Sequence, residues 1–243
     1  MKSYIPALLI GSSIIITSLI FSNAFLNRNK SANTISVTGL GKKDFTSDLI
    51  VWKGSFTRKN MVLKEAYSQL DNDREVIKNY LTSNGVPESQ IVFFAVDINK
   101  EYTDSYNENT KRRTREFSGF RLRQSVQVES DKVDDIESIS RKVSELINQG
   151  VEFYSNAPEY YYTQLAELKI SMIAEATQDA RVRAEQIAEN SGGILGGVTR
   201  ANMGVFQIIA QNSSEDFSWG GSFNTSSKKK TATITMKLQY EVK

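Results

Sequence analysis

The chain has neither cysteine nor histidine among its 243 residues. Without cysteine there is no disulfide, no thiolate metal ligand and no thiol nucleophile, which suits a protein exported to an oxidising compartment. Without histidine there is no Ser-His-Asp relay, no imidazole ligand for zinc and no imidazole base near neutral pH. Most common hydrolase and metalloenzyme designs are thereby excluded. An excess of charge of one sign is lacking too. Thirty Lys and Arg stand against 28 Asp and Glu, a formal net charge of +2, so the molecule as a whole exerts little pull on nucleic acid or acidic lipid.

What is present, first, is one long apolar run. Tyr4 to Phe21 carries no charge behind a lone Lys2, and roughly 18 residues of helix just cross a ~30 Å hydrocarbon core. Ser22-Asn23-Ala24 is a small-x-small site of the kind cleaved after a signal peptide. Two readings stay open: an uncleaved anchor entering the membrane through residues 4–21, or a leader cleaved after Ala24. Flanking charge does not fix orientation, since Lys2 faces Arg28 and Lys30. Default export leaves the short N-terminus inside and the bulk outside. The expected location is therefore the cell envelope, anchored in the inner membrane and facing the periplasm, or free in the periplasm after cleavage. A buried core helix is disfavoured because the run has no polar face.

The remaining chain, with hydrophobic and charged fractions of 40% and 24% for the whole sequence, is globular in composition and long enough for a proper core. Residues 1–30 are expected to form the leader and tether, and 31–243 the folded domain. Ile35 to Thr38 reads as a brief strand, with Gly39-Leu40-Gly41 as a turn. Ser47 to Lys59 alternates as a second strand, and Val62 to Ser83 has helical spacing stopped by Asn84-Gly85. Gln90 to Tyr102 predicts a third strand, 103–116 an exposed hairpin connection, and Phe117 to Glu129 a half-buried fourth strand. Ser130-Asp131 is expected to cap a second helix that ends at Gly150. Val151 to Tyr162 follows as a strand weakened by Pro158. The longest helix spans about Thr163 to Asn190, with an alanine-rich stripe narrow enough for another element to approach. One or two strands over 194–211, a polar loop over 212–227 and a clearly alternating last strand from Thr231 to Val242 complete the chain.

Val51–Ile98 and Val126–Tyr162 echo one another as strand, helix, Asn/Gln-Gly-Val, strand. The expected fold is α+β: an antiparallel sheet with helices packed on one face, two β-α-β-like units and a long alanine-rich helix, behind an N-terminal transmembrane or signal helix.

Three landmarks in order resemble the SIMPL-domain family of periplasmic immunogenic and outer-membrane-associated bacterial proteins. They are Ile35-Ser36-Val37-Thr38-Gly39-Leu40-Gly41, the junction Leu81-Thr82-Ser83-Asn84-Gly85-Val86 with Ile91, and the helix Ala176 to Ala188 ending at Gly192. The resemblance spans about residues 34–243. Ser47-Asp48 departs from the family's usual Pro-Asp before the second strand. The resemblance implies an exported α+β domain that tends to oligomerise, in at least one member into a ring- or channel-like particle, with links to stress phenotypes. It implies no established activity, cofactor or catalytic residue.

Sharper motifs read blandly. Gly39-Leu40-Gly41 lacks the third glycine and following helix of a phosphate cradle, and Asp71 to Glu75 lacks the sixth-position glycine of a calcium loop. Two surface groups stand out. Tyr160, Tyr162, Phe217 and Trp219 are candidate interface rings. Lys111, Arg112, Arg113 and Arg115, beside Tyr102 and Tyr106, and Lys228, Lys229 and Lys230 are candidate anion contacts. The function expected is non-enzymatic: an exported or membrane-anchored envelope protein that forms homo-oligomers and acts by scaffolding or binding. The alternative is a module binding an anionic envelope lipid or glycan through basic loops. No nucleic acid, metal or cofactor is expected, and the sequence identifies no small-molecule substrate.

Overall fold

Two long strands with alternating apolar side chains carry the larger half of the molecule. The computed structural model describes residues 5–28, 33–107, 111–213 and 218–243. Its helices and antiparallel sheets make the chain α+β. It divides into two compact units, one of residues 43–168 and 207–232, the other of residues 1–42, 169–206 and 233–243.

In the first of these units, β2 (Leu49–Asn60) and β5 (Arg112–Ser130) pair antiparallel from Ile50↔Ser130 to Asn60↔Phe120. Ile50, Trp52 and Phe56 share a face with Leu122, Val126 and Val128, and all six are buried. Two helices cover that face, α2 (Leu63–Ser83) and α3 (Val133–Lys142). Ala66, Leu70, Ile77 and Leu81 of α2 and Val133, Ile136 and Ile139 of α3 join the same core. Apolar residues three and four apart put each helix's stripe on the sheet. After α2, Gly85 adopts φ +90°. After α3, a 3-10 stretch (Val143–Gln149) closes at Gly150, where φ is +79°. Both are left-handed positions that favour glycine. The expected Ser130-Asp131 cap is shifted: Lys132 is the N-cap residue, and its N–H donates to Ser130 Oγ at 3.2 Å.

The strand order is β3-β5-β2-β6, with β3 (Ile91–Phe93) on β5 and β6 (Phe153–Ser155) on β2. Each repeat therefore lends its second strand to the other repeat's first, and neither completes a sheet alone. Pro158 separates β6 from β7 (Glu159–Tyr161), which pairs further along β2. The expected strand from Gln90 to Tyr102 is broken in two: β3 ends at Phe93, and β4 (Asp97–Asn107) starts afresh on β5. Inside the unit Arg58 Nε and Nη2 reach the Asp73 carboxylate at 2.5 and 2.7 Å, and Nη2 also donates to Gly150 O at 2.7 Å. That fork ties β2 to α2 and to the end of the 3-10 stretch.

The other unit holds α1 (Ile5–Arg28), whose segment Leu8–Leu26 has a mean hydropathy of 1.9 and no buried residue. Most of three strands of a four-stranded sheet follow, in the order β1-β10-β8: β1 (Thr34–Thr46), β10 (Lys229–Val242) and β8 (Leu195–Met203); the fourth, β9 (Gln207–Ala210), also pairs with β10. Helix α4 (Leu165–Asn190) lies on one face of them. Its Met172, Ala176, Ala180, Ala184 and Ala188 are all fully buried.

Gly39-Leu40-Gly41 is no turn: it runs straight through β1. A Cβ on Gly39 would stand 2.0 Å from Ala176 O and 2.5 Å from Ala180 N, and one on Gly41 would stand 2.4 Å from Met172 O. The glycines are there because the helix backbone lies against the strand. The Leu40 N–H donates to the Asp179 carboxylate at 2.8 Å, fixing the crossing. The narrow alanine face is consequently filled from within its own chain and offers no surface to a neighbour.

Candidate functional site

The stretch expected as an exposed connection is mostly strand. β4 and β5 run antiparallel from Asp97↔Arg123 out to Asn107↔Arg112. The last rung between β5 and β2 is Asn60↔Phe120. From Tyr102 to Asn107, among the described residues, the two strands pair only with each other, a ribbon about 20 Å long at ~3.3 Å per residue. The sequence forms it because Tyr102 and Tyr106 pair with Phe117 and Arg113 on one face, and Thr103 and Ser105 pair with Glu116 and Thr114 on the other, a β-prone alternation on both strands. Gly119 at φ +124° sits at the bulge beside Glu101 and Tyr102, where the ribbon leaves the sheet.

Register places Tyr102, Asp104 and Tyr106 on the same face as Arg113, Arg115 and Phe117. Tyr102 and Phe117 meet edge to face at 5.8 Å, and Phe117 meets Phe120 at 5.1 Å. The Arg115 guanidinium stands 4.6 Å over the Tyr102 ring, while its approach to Asp104 is 4.0 Å. Tyr102, Tyr106, Phe117, Lys111, Arg113 and Arg115 are all exposed. At the ribbon's base, Glu101 accepts from Arg121 and lies 2.8 Å from Lys59 Nζ. The Arg121 hydrogen bond, with that from Lys59, pushes the Glu101 carboxyl down to about 2, so it stays an anion and gives the ribbon a charge-paired footing. The whole arrangement is suited to covering a partner's surface with rings and guanidinium groups.

The candidate interface rings separate. Tyr160 is interior, 7% exposed, because it pairs with the core residue Ile50 of β2. Its backbone N–H donates to Thr225 O at 2.7 Å, and desolvation raises its hydroxyl pKa. Tyr162 is half-buried, its ring tilted against that of Phe45 at 4.7 Å. Trp219 is 89% exposed, and Phe217 lies outside the described residues.

The basic candidates separate as well. Lys228 pairs with Asp134 and lies 3.4 Å from Glu137, and the Asp134 hydrogen bond raises its pKa. Lys229 is exposed at the start of β10. Lys230 is 1% exposed, its Nζ donating to the carbonyls of Tyr160 and Asn224 at 2.5 Å each, beneath the Phe223 ring. A buried ammonium needs such partners, and Lys230 is thereby a structural clamp and no anion contact. Lys111, Arg113 and Arg115 stand on the ribbon; the side chain of Arg112 lies outside the described residues.

The importance of Tyr102, Tyr106 and Phe117 as one face was missed in sequence, although period-two spacing on either side of the polar tip was the available signal. The chain belongs to the SIMPL family, described as a protein of unknown function (DUF541), whose profile matches residues 35–240. Comparison with curated proteins gives no match.

Proposed function

Taking that membership as the premise, we propose that the protein is a non-enzymatic domain of the cell envelope that self-associates and works by scaffolding or binding, in the setting of envelope stress. The observation that carries the reading is the β4–β5 ribbon. An isolated two-stranded hairpin is at best marginally stable in water, yet this one extends beyond β2 with exposed rings and open edges. Burial against a second copy would satisfy both. The apolar α1, kept as an anchor, holds the domain at the inner membrane facing the periplasm; removed, it leaves the same domain free in the periplasm. The absence of cysteine and histidine from the sequence supports export and contact rather than transformation of a substrate.

The chain's lack of cysteine also makes the test clean. Tyr106→Cys introduces a single thiol on the ribbon, and a thiol-to-thiol crosslinker applied to intact cells should yield a covalent dimer. Asn84→Cys, at the end of α2 and away from the ribbon, should remain monomeric under the same treatment. A monomer for both variants would refute self-association through the ribbon.

A second reading is favoured by Lys111, Arg113 and Arg115, since Lys228 and Lys230 have internal partners: the ribbon grips an anionic envelope lipid or glycan. Reversing Arg113 and Arg115 to glutamate should then abolish salt-sensitive binding to such a surface.

A further inference from the structure

The sheet β1-β10-β8 has α4 on one face and a polar surface on the other, and at one end that surface is hollow. Asn33, Thr34, Thr199, Arg200, Gln239 and Glu241 line a cavity of about 490 Å³, a volume within the ordinary range of small-ligand sites. Arg200 is the cross-strand neighbour of Gln239, and Glu241 stands two residues further along the same side of β10. The neutral groups are already engaged: Gln239 Nε2 donates to Thr34 Oγ1 at 2.8 Å, and Thr199 Oγ1 donates to Gln239 O at 3.1 Å. Among the described residues, neither Arg200 nor Glu241 takes part in an ion pair. The hollow thus offers one cation and one anion on a frame of satisfied polar groups. A zwitterion carrying a phosphate and an ammonium complements those two charges in sign, the guanidinium fork matching phosphate oxygens.

The chain itself indicates which zwitterion is at hand. Asn33 is five residues beyond Arg28, the last residue of the apolar helix, so the cavity wall is within about 18 Å of the helix end even with the link fully extended. We propose that this cavity holds the headgroup of a zwitterionic phospholipid, its phosphate on Arg200 and its ammonium on Glu241. This deepens the reading of α1 as a retained anchor, and rests on it for the supply of lipid. The headgroup would pin the unit to the membrane from which it emerges.

The test uses the full chain in detergent, observed by native mass spectrometry with added phosphatidylethanolamine. Wild type should retain one such lipid per chain. Arg200→Gln and Glu241→Gln should each weaken retention by about tenfold, the loss of one charge-assisted contact. Phosphatidylglycerol, which has no ammonium, should be held less well by wild type, and Glu241→Gln should erase that preference. Retention unaffected by either substitution, or equal retention of the two lipids by wild type, overturns the proposal. Glycerophosphoethanolamine, the headgroup without acyl chains, separates the two layers of the argument. Arg200-dependent shifts of the Thr199 and Gln239 amide resonances support the cavity even where intact mass shows residues 1–24 removed in cells, an outcome that refutes only the anchor. No shifts from the soluble headgroup, with α1 retained, refute the cavity.

Discussion

Single side chains decide how firmly the parts of this molecule hold. The Asp73 side chain is 6% exposed, and its counter-charge comes from Arg58, itself 31% exposed. Removing the guanidinium leaves a carboxylate in the interior without its partner and Gly150 O without its donor. Arg58→Met should cost about 3 kcal/mol, read as a lower urea midpoint at unchanged slope; a loss under about 1 kcal/mol would show the carboxylate rehydrated instead. Glu101 gives a pH signature. Its folded pKa, about 2, lies below its ordinary value, so the stabilisation it confers is complete above the usual carboxylate range and fades as pH falls from about 4.5 toward 2. A carboxyl carbon titration by NMR should place its midpoint near 2, and Arg121→Ala should move that midpoint up. A wild-type midpoint near 4 would mean the ribbon's base is not paired in solution.

At the scale of elements, two glycines let β1 lie against Met172, Ala176 and Ala180 of α4. Gly39→Ala would put a methyl group 2.0 Å from a carbonyl oxygen, and because backbone cannot yield like a flexible side chain, destabilisation should reach about 3 kcal/mol. Gly85→Ala, where nothing lies within 4 Å, tests the other role of glycine. It should cost about 1 kcal/mol, from the positive φ alone. Thermal melts of the pair check the difference; equal losses would mean α4 stands off from β1. These positions also show what sequence concealed. Two glycines flanking a leucine read as a turn when considered locally, whereas their same-face spacing and the alanines every fourth residue 137 positions later together encode a close crossing. Helices α2 and α4 and the last strand were legible because their periodicity is unbroken. The ribbon was not, because its charged side chains resemble a loop even though every second residue keeps a β pattern. Lys230 is invisible for the opposite reason: three consecutive lysines look like surface, and only the fold turns the third inward onto two carbonyls.

At the scale of the whole molecule, the internal echo was visible as order without partners. Its meaning is the exchange of second strands, β3 onto β5 and β6 onto β2, which no single repeat specifies. Among the described residues β4 pairs with β5 alone, and the two run past the end of the β2–β5 pairing. The proposed self-association rests on that ribbon. The mass of the full chain in solution tests that most directly. Light scattering in mild detergent, corrected for bound detergent, should give a mass of several chains that falls toward one on dilution or when Tyr102, Tyr106 and Phe117 are all replaced by serine. A single monodisperse monomer at high concentration in several buffers would contradict the account.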